Sequence, residues 1–280
     1  MFECRNCKAH RAEPIYHQLR DRFEGHPGTF DYVRCGECSL VQLAEIPPDL
    51  EALYMGYRVH GRTSSLYHLL RKLTIGHAYL STSGEGRSLL DFGCGSGWYL
   101  QQMAELGWQA TGYESNADHA AHVSRVTSLP VLSGLDSLKA RTGEFDLVTM
   151  NFVFEHLADP HEMLDLVSRV LRPGGQLYIS VPNIESREAR IFKDRWFHLD
   201  PPRHLTFFTK AMLSEMFAAR GLVDIEVKDL PIPTGLAGSL SYKVWGKFEP
   251  VTWYSLIVPG LVFSKLVRDG NFAISARRPL

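Results

Sequence analysis

The chain of 280 residues is 45% hydrophobic and holds 23 Gly and 15 Pro, enough apolar side chain for a full core and incompatible with a disordered or collagen-like polymer. Thirty Lys+Arg against 31 Asp+Glu leave a formal net charge of −1 with no dense basic cluster, which argues against duplex DNA as a partner. At about 150 residues per domain, the length predicts roughly two domains.

The start of the chain, Met1 to His10, is polar and carries two cysteines, so it does not read as a secretory signal. Four of the 5 cysteines form two CxxC pairs, Cys4/Cys7 and Cys35/Cys38. Four thiolates at that spacing suit a closed, structural zinc site in a reducing, cytoplasmic compartment better than a disulfide framework. Strand-like alternation is predicted over 29–35 and 40–43, and Pro47-Pro48 closes a zinc-ribbon-like unit over 1–47. A helical connector is expected over 48–83, where Leu66, Leu69, Leu70 and Leu73 recur at helical spacing behind Ser64-Ser65.

From Ser88 to Leu230 strands and helices alternate. Strands are predicted near 88–92, 109–114, 129–133, 145–151, 175–181 and 223–229, and helices near 97–106, 117–126, 160–171 and 209–220. That alternation implies an α/β, doubly wound, parallel sheet with helices on both faces. Arg172-Pro173-Gly174-Gly175 is expected to turn the chain from helix into strand. The stretch 231–268 is rich in Trp, Tyr, Leu, Pro and Gly without a clear period, and a last strand follows at 271–276. Its longest uncharged apolar run, Val251 to Ser264, is shorter than the about 20 residues a bilayer-spanning helix needs. A lid, a homodimer interface and a peripheral membrane contact all fit this segment.

The densest chemical signal is Asp91-Phe92-Gly93-Cys94-Gly95-Ser96-Gly97, a strand running through a glycine turn into a helix. Glycines there permit positive φ and close backbone approach, and the helix start offers free N–H groups to an anionic ligand group. The next strand ends at Glu114, where a carboxylate can accept hydrogen bonds from a ribose diol. A dinucleotide fingerprint would need a third glycine where Trp98 stands, and an ATPase loop would need a lysine that this turn lacks.

With Phe145-Asp146-Leu147-Val148, Glu155-His156-Leu157 and Leu171-Arg172-Pro173-Gly174-Gly175, these residues resemble the class I S-adenosylmethionine-dependent methyltransferases over about 64–230 plus the last strand. The resemblance implies a Rossmann-like, mostly parallel seven-stranded sheet occupying 84–280, with 231–268 as an apolar insertion. It also implies cofactor contacts from Asp91, Gly93, Cys94, Gly95, Gly97, Glu114 and Asn151, with Leu135 and Asp136 beside the adenine. The paired cysteines followed by Ser39-Leu40-Val41-Gln42-Leu43 look like the zinc-binding leader of bacterial sugar C-methyltransferases. Trp196–Thr209 is similar to methyltransferases of surface-polysaccharide and secondary-metabolite pathways. The acceptor implied is a small molecule, a sugar or a nucleotide- or lipid-linked sugar intermediate. A non-catalytic recruitment module and an N- or O-methyltransferase of another metabolite remain as alternatives.

In an open parallel sheet the ligand crevice lies outside the carboxyl ends of the strands. Glu155 and His156 follow the 145–151 strand at that rim. His156 is expected to act as general base with Glu155 orienting it, and the alternative is that the pair only orders the loop. His204 or Arg203 is expected to contact the acceptor. Trp98, Phe152 and Phe154 are further candidates for the pocket border, while His119 and His161 read as surface or satisfied core residues.

Overall fold

The computed structural model describes residues 2–48, 50, 82, 84–267 and 269–280, so the connector predicted at 48–83 lies almost wholly outside the described residues. In chain order the strands and α-helices are β1 (Ala12–Leu19), β2 (Phe30–Cys35), β3 (Val41–Leu43), β4 (Ser88–Phe92), α1 (Trp98–Glu105), β5 (Gln109–Tyr113), α2 (Ala117–Thr127), β6 (Val131–Leu132), α3 (Leu135–Lys139), β7 (Phe145–Asn151) and α4 (Pro160–Val170). They continue with β8 (Leu171–Pro182), α5 (Arg187–Phe192), β9 (Thr206–Phe207), α6 (Lys210–Ala218), β10 (Val223–Leu230), α7 (Thr234–Trp245), α8 (Pro250–Val267) and β11 (Asn271–Arg277).

The larger sheet has seven strands in the order β10-β11-β8-β7-β4-β5-β6. β4 is parallel to β5 and β7, β7 to β8 and β5 to β6, whereas β11 runs antiparallel to both β8 and β10. Strands at the centre of such a sheet are covered on both faces and read as nearly continuous apolar runs. Leu89, Leu90, Leu147, Val148, Leu177 and Ile179 are accordingly buried. The helices start where capping chemistry dictates. Asp159 accepts from the N–H groups of His161 and Glu162 with Pro160 in the first turn, and Asn116 accepts from His119 N–H. The expected turn at Arg172–Gly175 is a bulge inside β8, because pairing jumps from Phe145↔Leu171 to Leu147↔Gln176.

The smaller sheet is antiparallel, in the order β1-β2-β3-β9. Its fourth strand comes from far along the chain: Val41 pairs with Phe207 and Gln42 with Thr206. The cysteine-bearing leader is therefore stitched to the 196–209 segment. Tyr32, buried on β2, places its hydroxyl 2.7 Å from the His204 carbonyl and 2.9 Å from that of Leu199. Arg5 Nη1 donates to the carbonyls of Leu43 (3.0 Å) and Leu205 (3.1 Å) across the same seam.

The firmest tie is ionic. Arg203 has no exposed surface, and its Nη1 and Nη2 each lie 2.8 Å from an Asp21 carboxylate oxygen. Its Nε donates to Asp200 Oδ2 at 2.9 Å, and Nη2 also reaches Asp200 Oδ1. Burial alone would raise the Asp21 carboxyl; the guanidinium more than reverses that and holds it well below the ordinary 3.8. Arg203 is consumed by this clamp, which corrects its expected role as an acceptor contact.

Removing one partner of a buried ion pair leaves an uncompensated charge, so Asp21→Asn and Arg203→Met should each lower unfolding free energy by about 3–5 kcal/mol in urea titrations. Because the folded-state value of Asp21 is depressed, its contribution is present above the ordinary carboxylate range and is lost as pH falls through and below it. The stability gap between native protein and Asp21→Asn should accordingly narrow from pH 6 towards pH 3.

Candidate functional site

The glycine turn leaves β4 at Phe92, with Gly93, Gly95 and Gly97 at φ of 71°, 55° and 75°. Gly93 is required by packing as well as by φ, since a Cβ there would fall 2.5 Å from Val153 Cγ2. The Gly95 peptide is held at both ends: its N–H donates to the Glu114 carboxylate, and its carbonyl lies 3.0 Å from His119 Nε2. A carbonyl only accepts, so His119 carries its proton on Nε2. Glu114 directly follows β5, and burial together with the nearby Asp91 charge raises its carboxyl to about 7. Asp91 is buried beneath the turn and accepts from Thr149 Oγ1 at 2.8 Å and Asn151 Nδ2 at 3.5 Å. The Cys94 thiol faces Gly112, where a Cβ would lie only 2.7 Å from its sulfur.

Asp91, Gly93, Cys94, Gly95, Gly97, Glu114 and Asn151 are thus gathered around the carboxyl ends of β4, β5 and β7. Leu135 starts α3 after Gly134 and packs partly against the core. Asp136 beside it points to solvent and pairs with Lys139 at 3.3 Å.

β7 ends at Asn151, and Phe152 then takes φ 57°, a strained value for a bulky residue, as the chain leaves the sheet. A short 3₁₀ turn, Phe154–His156, follows and sets Glu155 inward. His156 Nδ1 lies 2.9 Å from the Arg203 carbonyl, and His204 Nδ1 lies 2.7 Å from the His198 carbonyl. The two imidazoles meet edge to face at 4.6 Å, and His204 Nε2 is 4.0 Å from Glu155 Oε1. The three side chains named from the sequence therefore meet, although His204 follows His156 by 48 positions (204 − 156). Burial, reinforced by Asp200, pushes the Glu155 carboxyl up to about 8, and burial lowers both histidines.

The four cysteine sulfurs lie within 4.8 Å of one another, with Cys4–Cys38 at 3.5 Å and Cys7–Cys35 at 3.6 Å. A tetrahedral zinc with Zn–S bonds of about 2.3 Å has sulfur–sulfur edges of about 3.8 Å, so this donor set fits the metal. Glu37 N–H points at Cys35 Sγ from 3.4 Å, the sense that favours thiolate. Asn6, inside the first knuckle, meets His161 Nε2 on α4 at 3.0 Å and ties the cluster to the larger sheet's helical layer.

His119 is the residue that sequence reading missed at this site; its position in the first turn of a helix following the acid was the available signal. His161 likewise has a defined partner. Asp21 and Tyr32 carried no motif, and Asp200 lay within the Trp196–Thr209 segment without a role assigned to it.

A family model described as a methyltransferase domain matches residues 65–227. A ubiquinone biosynthesis O-methyltransferase of Caulobacter vibrioides is 34% identical over 106 residues, covering 35% of this chain and 42% of that protein. The enzyme of the same name from Idiomarina loihiensis is 28% identical over 227 residues, 76% of this chain and 84% of that protein. The chain spans about half the length of the first curated relatives it matches. Among solved structures, phosphoethanolamine N-methyltransferase 2 of Haemonchus contortus with S-adenosyl-L-methionine superposes with a TM-score of 0.53 at 19% identity, covering 75% of this chain and 52% of that one. That likeness is one of fold.

The glycine turn predicts an ordered pair of substitutions. Gly93→Ala meets Val153 and a positive φ together and should cost about 2–4 kcal/mol. Gly95→Ala meets nothing within 4 Å and should cost only about 1 kcal/mol, for the φ alone. Urea unfolding of the two variants checks the order.

Proposed function

This chain belongs to the methyltransferase-domain family, whose match over residues 65–227 takes in more than half of its length, and we propose that it transfers a methyl group from S-adenosylmethionine to a small acceptor. The observation that carries this reading is the glycine turn at the end of β4 facing the Glu114 carboxylate at the end of β5. When bound, the cofactor supplies a methyl carbon already activated by a sulfonium.

The chain's residues have three tasks. Glu114 accepts hydrogen bonds from the ribose diol, Asp91 with Asn151 sits by the ammonium end, and Gly93, Cys94, Gly95 and Gly97 let the backbone approach the methionine moiety. Leu135 supplies an apolar wall to the adenine, with Asp136 at its outer edge. On the acceptor side, the Glu155–His156–His204 cluster handles the acceptor's proton, His156 being its most accessible member. Three buried, hydrogen-bonded polar residues around one turn, Asp91, Glu114 and Thr149, favour a working cofactor site over a recruitment module, because groups left without purpose there would cost stability.

The acceptor proposed is a sugar or a sugar-containing intermediate, supported by the likeness of the Cys4–Cys38 leader and of Trp196–Thr209 to sugar and polysaccharide methyltransferases. That the relatives are ubiquinone biosynthesis O-methyltransferases favours oxygen as the methylated atom, and this second reading shares the same core. Cys4, Cys7, Cys35 and Cys38 hold a structural zinc, which stabilises a leader whose own sheet has three short strands and one borrowed from β9. The thiolates fit a cytoplasmic setting. Among the described residues no helix is long and apolar enough to cross a membrane.

Two measurements test this. Calorimetry should give saturable S-adenosylmethionine binding that Glu114→Ala weakens at least about tenfold, as loss of charged hydrogen bonds of about 1.5–3 kcal/mol requires. Labelled-cofactor turnover, screened by mass spectrometry over activated sugars and phenolic acceptors, should fall about 100-fold or more in His156→Ala while cofactor affinity changes less than about twofold. Absence of cofactor binding by the native protein would overturn the whole reading.

A further inference from the structure

Glu155 has 1% of its surface exposed, and neither carboxylate oxygen has a hydrogen-bond partner. An ionised carboxylate in that position is strongly unfavourable unless a cation or a proton meets it. Around it stand two imidazoles whose tautomers are fixed from behind. The atoms at His156 Nδ1 and His204 Nδ1 are backbone carbonyls, which accept only, so both rings carry the proton on Nδ1 and present Nε2 as the acceptor atom. Glu155, His156 and His204 bring one ligand atom each to within 4.8 Å of one another.

We propose that Glu155, His156 and His204 form a second metal site, binding a divalent first-row cation such as zinc or iron(II) with one carboxylate and two imidazoles. Bond lengths of about 2.0–2.2 Å place two such ligands roughly 2.8–3.6 Å apart in tetrahedral or facial geometry, so the His204 Nε2–Glu155 Oε1 separation of 4.0 Å would have to close by about 0.4 Å or more around the ion. An imidazole whose far nitrogen donates to a backbone carbonyl is the usual support for a metal-bound histidine, and here both rings have it. The electrostatic surroundings agree. The adjacent clamp sets two carboxylates, Asp21 and Asp200, against the single guanidinium of Arg203. Three protein ligands leave coordination positions open, unlike the closed four-sulfur shell of the leader.

This site deepens the proposed reaction and rests on it only for its purpose. A hydroxyl bound to the cation would release its proton to solvent more readily, so with the ion in place the cation, and not the imidazoles whose Nε2 lone pairs it occupies, would perform the deprotonation assigned to the cluster. Binding of the ion itself does not depend on the identity of the acceptor.

The test is metal stoichiometry on the full-length protein. After removal of loosely bound ions and titration with Zn²⁺, plasma emission spectrometry should find two equivalents in the native protein. Glu155→Gln and His204→Ala should each lose one equivalent and keep the cysteine-bound one. Cobalt(II) substitution supplies a readout that needs no variant: four thiolates give intense sulfur-to-metal charge transfer, whereas the nitrogen–oxygen site adds only weak visible bands. Those weak bands should appear as the second equivalent is added. A native protein that takes up only the thiolate-bound equivalent, or variants that bind as much as native, would overturn the proposal and show that Glu155 is simply protonated. Cofactor calorimetry on the same samples tells this failure apart from failure of the methyltransferase reading, since Asp91 and Glu114 are untouched.

Discussion

Arg203 carries its positive charge where water does not reach, and the carboxylates that make this tolerable come from two distant parts of the chain. Asp200 is three residues away, while Asp21 belongs to the turn after β1 and is itself organised by the N–H groups of Phe23 and Glu24 at 3.0 Å. Apart, Arg203 would keep only Asp200 and Asp21 only His26 and its N–H donors, so separating the halves costs the bidentate Asp21–Arg203 pair. The leader and the 196–209 segment are consequently obliged to fold against each other. The β3–β9 ladder and the Tyr32 hydroxyl then fix the register of that contact.

The clamp also decides where His204 stands. Arg203 directs its side chain into the leader while its carbonyl receives His156 Nδ1, and the next residue turns His204 towards Glu155. A leader that seems by composition to be an appended metal-binding unit thereby becomes part of the scaffold of the Glu155–His156–His204 cluster. Its own core is thin, and four closely grouped thiolates compensate by local cross-linking if they hold a metal.

What was legible in the sequence was local or periodic. β4, β7 and α2 begin where the predicted alternation of strand and helix places them, and the glycine turn with its distant acid is a pattern of residue types at fixed intervals. The Asp21–Arg203 pairing is separated by 182 positions and has no motif, so it emerges only once the fold exists. β9 is two residues long and exists because β3 offers it an edge. α7 escaped periodicity because small and polar residues, Gly235, Gly238, Ser239 and Ser241, are buried on its packed face, and in α8 Pro259 interrupts the pattern. Arg203 itself was misread because an arginine beside a proline-stiffened, histidine-bearing loop looks the same whether it faces a ligand or a buried carboxylate.

Several buried polar atoms without partners gather at the carboxyl edge of the large sheet, where Phe152 also takes a left-handed backbone. Phe152 holds its left-handed backbone because its N–H is bonded to the Ser180 carbonyl at 3.0 Å and Val153 beside it packs on Gly93. The same turn that leaves no room for a Cβ at the cofactor loop therefore sets Glu155 two residues later. Buried polar atoms without partners recur along this edge, at Asn151, Ser180 and Asn271, and across it at Glu188 and His198, which crowd the place a Cβ would occupy on Gly235. Each such atom costs about 1–3 kcal/mol in a stability-only design, and an apolar residue of similar volume would remove that penalty. Unsatisfied polarity thus runs from the end of β7 to the Glu155 cluster, while the cluster packed beneath the sheet is built from apolar side chains. The distribution fits a fold whose rigid part serves to hold a polar, partly strained rim against the ligands that complete it.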